Sequence, residues 1–198
     1  TMKENIDKTY IIAEIGINHE GDVNVCERMI LAAAECGVDA VKLQTVDPGA
    51  NYVKGTESYN IFKGAELTQE ETHRIFNFAR EYGLDIFTTA GDLETIDWVD
   101  QLNPSHWKVS SGLLTHTPII EYLASLKRPL LISTGMASEE DIDLAIKSAK
   151  SAGNNDISLF QCTSVYPTPV EEINLSTIKW LKDKYQCPVG FSDHSLGD

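Results

Sequence analysis

The chain has 198 residues, 42% of them hydrophobic and 23% charged, which is enough apolar material for a sizeable core, with no run long enough to span a bilayer. Its 16 basic and 30 acidic residues leave a net charge of −14, which argues against nucleic acid and anionic membrane as partners but not against a small anion held by local donors. No signal-peptide pattern opens the sequence, and the four cysteines show neither a disulfide framework nor CxxC spacing, so a soluble, cytoplasmic protein with reduced, structural thiols is expected.

Short apolar runs rich in strand formers alternate with amphipathic stretches of helical length. After a polar tail over residues 1–9, the first run, Tyr10–Ile15, carries Glu14 in apolar company and leads into Asn18, His19 and Glu20. Gly37 stands where a first helix would end, and the second run, Ala40–Thr45, carries Lys42 and Gln44. Pro48–Gly64 then reads as one long irregular connection, a candidate substrate lid. Thr68 and Glu71 have capping-box spacing for a helix that Gly83 closes. Asp85–Thr89 ends in two threonines; His106–Ser110 carries Lys108 and runs into Ser111 and Gly112. Pro118 suits the first position of a helix, and Pro129–Thr134 ends in Ser133 and Thr134. Ser138 and Asp141 repeat the capping-box spacing, with a shorter acid, before a helix ending at Gly153. Ile157–Cys162 leads to Thr163 and Ser164, and Pro188–Ser192 to Asp193 and His194.

Regular βα alternation without a GxGxxG turn favours a (βα)8 TIM-type barrel over an open, doubly wound sheet. The runs number seven, so the expectation is an α/β barrel domain over residues 10–198 that lacks its last unit and is inactive as it stands. Barrel enzymes place their chemistry at the C-terminal ends of the strands, and this chain fills those positions with hydroxyls and two lysines, a cradle suited to phosphate. Backbone N–H groups beside Gly112 and Gly135 could add donors. A lysine buried among apolar residues, as Lys42 and Lys108 are expected to be, requires an anionic partner, a lowered pKa or a covalent role. Glu14 requires a hydrogen-bonded partner or a raised pKa; acid–base work, a sugar contact and an ordinary pairing with a strand-end lysine all stay open. His194 is open as a metal ligand, a general base or a surface histidine, since a lone histidine has no ligand spacing. Two other functional classes suit the same residues: a Schiff-base aldolase working through Lys42 or Lys108, and a sugar-binding barrel without turnover.

The segments AEIGINHEG (Ala13–Gly21), VKLQT (Val41–Thr45), KVSSG (Lys108–Gly112), STGM (Ser133–Met136), QCTSVYPTP (Gln161–Pro169) and FSDHS (Phe191–Ser195) resemble, in order and register, the sialic acid synthase family. The resemblance implies condensation of phosphoenolpyruvate with an open-chain N-acetylated aminosugar, typically N-acetylmannosamine, to a nonulosonic acid and phosphate. By matching position it implies that Lys42, Thr89, Lys108, Ser111, Ser133, Ser164 and Ser192 hold phosphoenolpyruvate. Glu14, Gln44, Tyr166 and Asp193 would face the sugar or the reacting carbons, with Glu14, Lys42, Lys108 and Asp193 in catalytic roles. His194 would be one of two histidines on a divalent ion, Mn²⁺ or Mg²⁺, the second lying on an eighth strand. The family also implies a homodimer completed by a C-terminal domain. Leu113, where several members carry an acid, and Ser164, where some carry Asn, leave the sugar open among N-acetylmannosamine and its legionaminic, pseudaminic and spore-coat counterparts.

Overall fold

A computed structural model of the chain describes residues 8–196; most of the expected polar tail lies outside them. The described chain forms two compact units, the first reaching His106 and the second beginning at Trp107.

In the first unit, β1 (Ile12–Gly16), β2 (Ala40–Gln44) and β3 (Asp85–Thr89) pair in parallel, β1 with β2 and β2 with β3. Helices α1 (Val23–Glu35), α4 (Gln69–Glu81) and α5 (Leu93–Asp100) accompany them. Strand alternation sends Val41, Leu43 and Ile86 to one face, and these join Cys26, Ile30, Ile75, Phe76 and Ile96 among the buried residues. The helix starts follow capping chemistry. Asp22 accepts from the Asn24 and Val25 N–H groups, and Thr68 and Glu71 make the reciprocal capping box. Gly37 and Gly83 follow α1 and α4 at φ of 76° and 74°, the left-handed conformation that ends a helix at little cost only for glycine.

The connection over Pro48–Gly64 is not irregular as expected; it contains two short helices, α2 (Pro48–Asn51) and α3 (Glu57–Gly64). The reason is capping within a turn-like composition. Asp47 accepts from the Gly49 N–H at 2.7 Å with Pro48 supplying the first helical φ, and Thr56 accepts from the Tyr59 N–H at 3.3 Å. Tyr52 and Phe62 stack at 4.8 Å, and Asn51 Nδ2 donates to Asp92 Oδ2 at 3.0 Å, which fastens the segment to the start of α5.

In the second unit, β4 (Trp107–Val109), β5 (Leu130–Ser133), β6 (Ile157–Cys162) and β7 (Val189–Ser192) pair in parallel in chain order. Helices α6 (Thr117–Ser125), α7 (Glu139–Ser151) and α8 (Ser176–Tyr185) alternate with them. Trp107, Ile120, Leu123, Leu130, Ile132, Leu159 and Leu181 form its buried core. Pro118 falls at the second helical position, since Thr117 begins α6 under a cap in which His116 Nδ1 accepts from the Ile119 N–H. Ser138 and Asp141 close a full capping box despite the shorter acid, and Gly153 follows α7 at φ 86°. All four residues of β7 are half-buried, whereas β4 and β5 are buried throughout. Among the described residues, seven parallel strands alternating with helices make an α/β architecture, consistent with the barrel reading. Among the described residues no helix is long and apolar enough to cross a membrane.

Candidate active site

Two polar clusters form at the C-terminal ends of strands, one in each unit. In the first, alternation puts Lys42 and Gln44 on the face opposite Val41 and Leu43. Glu14 is the direct register partner of Lys42, and its carboxylate lies 2.9 Å from Nζ. Lys42 pairs with Phe87 on the other side, so Thr89, two residues further along β3, shares its face. Nζ donates to Thr89 Oγ1 and to the Leu43 carbonyl, each at 3.2 Å. Lys42 is 6% exposed and all three of its donors are used, whereas the Glu14 side chain is 53% exposed. The expected partner for Glu14 is therefore Lys42. A register shift between Glu14 and Gly16 accompanies this pairing. Gly16 has φ 57°, and a Cβ there would stand 3.3 Å from Glu14 Oε1 and 3.4 Å from Gln44 Oε1, so glycine leaves these two polar tips room to converge.

The second unit repeats the construction. Lys108, 7% exposed, pairs with Leu131, and Ser133 lies two residues beyond on the same face. Nζ donates to Ser133 Oγ at 2.5 Å and to the Val109 carbonyl at 2.9 Å, with the Phe160 ring centroid 5.7 Å away. Beside it, Ser111 Oγ accepts from the Gly135 N–H at 3.1 Å and donates to Cys162 Sγ at 3.6 Å. A Cβ on Gly135 would fall 2.5 Å from Ser164 Oγ and 2.8 Å from Ser111 Oγ, so the absence of a side chain is what lets the two hydroxyls close on this backbone. Ser192 ends β7 in register with Cys162.

His194 Nδ1 lies 2.8 Å from the Thr163 carbonyl and 3.9 Å from Cys162 Sγ, and its ring packs 4.1 Å from that of the exposed Tyr166. The carbonyl can only accept, so Nδ1 carries the proton and Nε2 the lone pair. A backbone carbonyl fixing the remote ring nitrogen is the usual support of a metal-binding histidine, and His194 fits that role. Among the described residues, no three His, Cys, Asp or Glu side chains are grouped to hold a metal ion. Asp193 turns onto its own loop: Oδ1 accepts from the Ser195 N–H at 2.8 Å and Oδ2 from Ser195 Oγ at 3.0 Å, bonds that hold its carboxyl below the ordinary range.

Several strand-end polar groups bond the backbone. Thr134 Oγ1 donates to the Phe160 carbonyl, Gln161 Nε2 to Ile173, Thr163 Oγ1 to Glu172, and Thr88 bonds Thr45. Two other residues gain importance. Cys162, expected to be a reduced, structural thiol, lies between Ser111 and His194. His19, in sequence one polar residue among several after β1, is 2% exposed and lines a cavity of about 290 Å³ beside Gln44. Burial lowers its pKa from the ordinary histidine value.

Residues 29–198 match the model of the NeuB family. The chain belongs to the NeuB family. It is 35% identical over 206 residues to an N,N'-diacetyllegionaminic acid synthase of Legionella pneumophila, covering 95% of this chain and 58% of that protein. It is 32% identical over 204 residues to a pseudaminic acid synthase of Campylobacter jejuni, covering 96% of this chain and 60% of the relative. The chain thus spans about three fifths of the length of these curated relatives. Among solved structures, a sialic acid synthetase from Leptospira borgpetersenii in complex with citrate matches with a TM-score of 0.93 at 30% identity, over 96% of this chain and 67% of that one.

Proposed function

We propose that the chain carries the phosphoenolpyruvate-binding and sugar-facing residues of a nonulosonic acid synthase, condensing phosphoenolpyruvate with an open-chain N-acylated aminosugar. The observation that carries this reading is the lysine and hydroxyl arrangement built twice, around Lys42 with Thr89 and around Lys108 with Ser133. Two buried ammonium groups suit a substrate with a phosphate and a carboxylate. Ser111, Ser164 and Ser192 supply further hydroxyls, and Gln44, Tyr166 and Asp193 meet the sugar. Glu14, beside Lys42 and half exposed, is the carboxylate for proton transfer or for steadying positive charge as the enol carbon joins the aldehyde. His194 would hold a divalent ion, Mn²⁺ or Mg²⁺, through Nε2, and the ion's contribution when bound is to polarise the sugar carbonyl. Lys42 Nζ is placed between Glu14, Thr89 Oγ1 and the Leu43 carbonyl, a setting that suits charge pairing better than the nucleophilic attack of a Schiff-base aldolase.

Titration calorimetry with phosphoenolpyruvate tests the reading. Lys42→Met and Lys108→Met should each weaken binding severely, and borohydride added with both substrates should leave no adduct on either lysine. Affinity within twofold of the parent for both variants, or a trapped adduct, would overturn the assignment.

A further inference from the structure

Two hydroxyls of the second unit's cluster are used in opposite ways. Ser133 Oγ accepts from Lys108 Nζ, an arrangement that leaves its own proton for a ligand. Ser111 Oγ accepts from the Gly135 N–H at 3.1 Å and donates to Cys162 Sγ at 3.6 Å. A serine hydroxyl has one proton and two lone pairs, so Ser111 commits the proton to sulfur and one lone pair to the backbone. The lone pair that remains cannot hold an anion. For Ser111 to bind a phosphate or carboxylate oxygen, its proton must leave the sulfur. Cys162 ends β6 in register with Ser192 and is 7% exposed, so little water reaches the sulfur to take its place. The sulfur also lies 3.9 Å from His194 Nδ1, but that N–H is directed to the Thr163 carbonyl at 2.8 Å. The Ser111 hydroxyl is therefore the donor that the sulfur serves.

We infer that Cys162 is a positioning residue for substrate binding: its sulfur holds the Ser111 proton until a substrate oxygen takes it, and so sets how tightly that anion is held. The step is an exchange of hydrogen-bond acceptors, with no covalent bond made or broken. A hydrogen bond that exists only in the free protein opposes binding by its own worth, because it must be given up when the ligand arrives. A thiol sulfur suits such a position. It is a weak acceptor, enough to orient a half-buried hydroxyl, whereas an oxygen in its place would hold the proton more firmly and lower the affinity further. This rests on the proposed reaction, in which Ser111 holds phosphoenolpyruvate, and the competing acceptor is the new element.

Titration calorimetry with phosphoenolpyruvate reads the exchange through its sign. Cys162→Ala and Cys162→Val both remove the acceptor, the first leaving space and the second filling it. Each should bind phosphoenolpyruvate about threefold more tightly than the parent, the lower part of the range for one neutral hydrogen bond. A residue that served only packing would act the other way, since a loosened cluster binds more weakly. Ser111→Ala should weaken binding, and either Cys162 substitution added to it should change affinity by less than about 1.5-fold, because the sulfur acts through that hydroxyl. Urea denaturation reports folding of each variant separately. Weaker or unchanged binding in both single variants, opposite signs in the two, or the same gain in the Ser111→Ala background would overturn the inference while leaving the lysine assignments in place. A parent protein that bound no phosphoenolpyruvate would overturn both.

Discussion

The surroundings of Lys42 and Lys108 differ in one informative respect. In each unit a lysine on one parallel strand reaches a hydroxyl on the next, placed two residues beyond the lysine's register partner: Thr89 beyond Phe87, and Ser133 beyond Leu131. Each lysine also donates to the carbonyl of the residue after it. The repetition follows from the pleat, because i and j+2 on neighbouring parallel strands share a face and a long side chain spans the gap. Glu14, half-exposed, lies 2.9 Å from Lys42, and the Phe160 ring lies 5.7 Å from Lys108. The Lys42 cluster thus includes a carboxylate next to its cation, the group proposed for acid–base work, and the Lys108 cluster includes an aromatic face.

The largest effect should come from the lysines themselves. Removing one charge-assisted contact to a substrate anion costs about 2–3 kcal/mol, so Lys42→Met and Lys108→Met should each lower phosphoenolpyruvate affinity by roughly 30- to 150-fold. Calorimetry on the two variants would break the equivalence if only one responded.

The hydroxyl partners should matter less. Thr89→Val and Ser133→Ala each delete one hydrogen bond to a lysine that keeps its charge, worth about 1 kcal/mol, so affinity should fall roughly fivefold in either variant. A loss at Ser133 alone would mean that the shared register is a packing coincidence.

Glu14→Gln separates the clusters more finely. A carboxylate 2.9 Å from Lys42 competes with an incoming anion, but at 53% exposure the pair is partly screened and worth about 1 kcal/mol or less. The variant should therefore bind phosphoenolpyruvate up to severalfold more tightly while turnover drops. Weaker binding would show instead that Glu14 positions Lys42 for the substrate.

Much of this was legible in the residues, and the limits are physical. The strands announced themselves as short β-rich runs, and a lysine inside AVKLQ or HWKVS stands out because an unpaired buried ammonium is costly. The pairing of Glu14 with Lys42 was only one of several readings, since no local rule fixes which residues of two strands face each other. The Pro48–Gly64 segment misled because its glycines and proline carry turn chemistry, and the caps at Asp47 and Thr56 act over one or two turns too short to show periodicity. The His19 cavity depends on β1, β2, α4 and α5 meeting, which a linear pattern does not encode. Tyr166 against His194 likewise depends on the path of two loops.

The smallest effect extends the comparison from the clusters to the helices that frame them. The capping boxes of α4 and α7 have nearly the same geometry: the cap N–H to the acid is 2.9 Å in both, and the return bond to the cap hydroxyl is 3.1 Å from Glu71 and 3.2 Å from Asp141. Thr68→Ala should cost about 1 kcal/mol of stability at pH 7, Ser138→Ala should act in the same direction, and neither should alter phosphoenolpyruvate affinity. The acids give this a pH signature. Hydrogen bonds from the cap backbone and side chain hold the Glu71 and Asp141 carboxyls below their ordinary values. A carboxyl depressed in the folded state contributes stability above its unfolded pKa, near 4 for either acid, and that contribution is lost as pH falls through the folded value. Glu71→Gln should therefore be less stable than the parent at pH 7 and converge on it below about pH 4. Urea denaturation at pH 7 and at pH 3 reads this directly. A stability gap that stayed constant between the two would assign the cap's value to the neutral amide geometry and not to the charge.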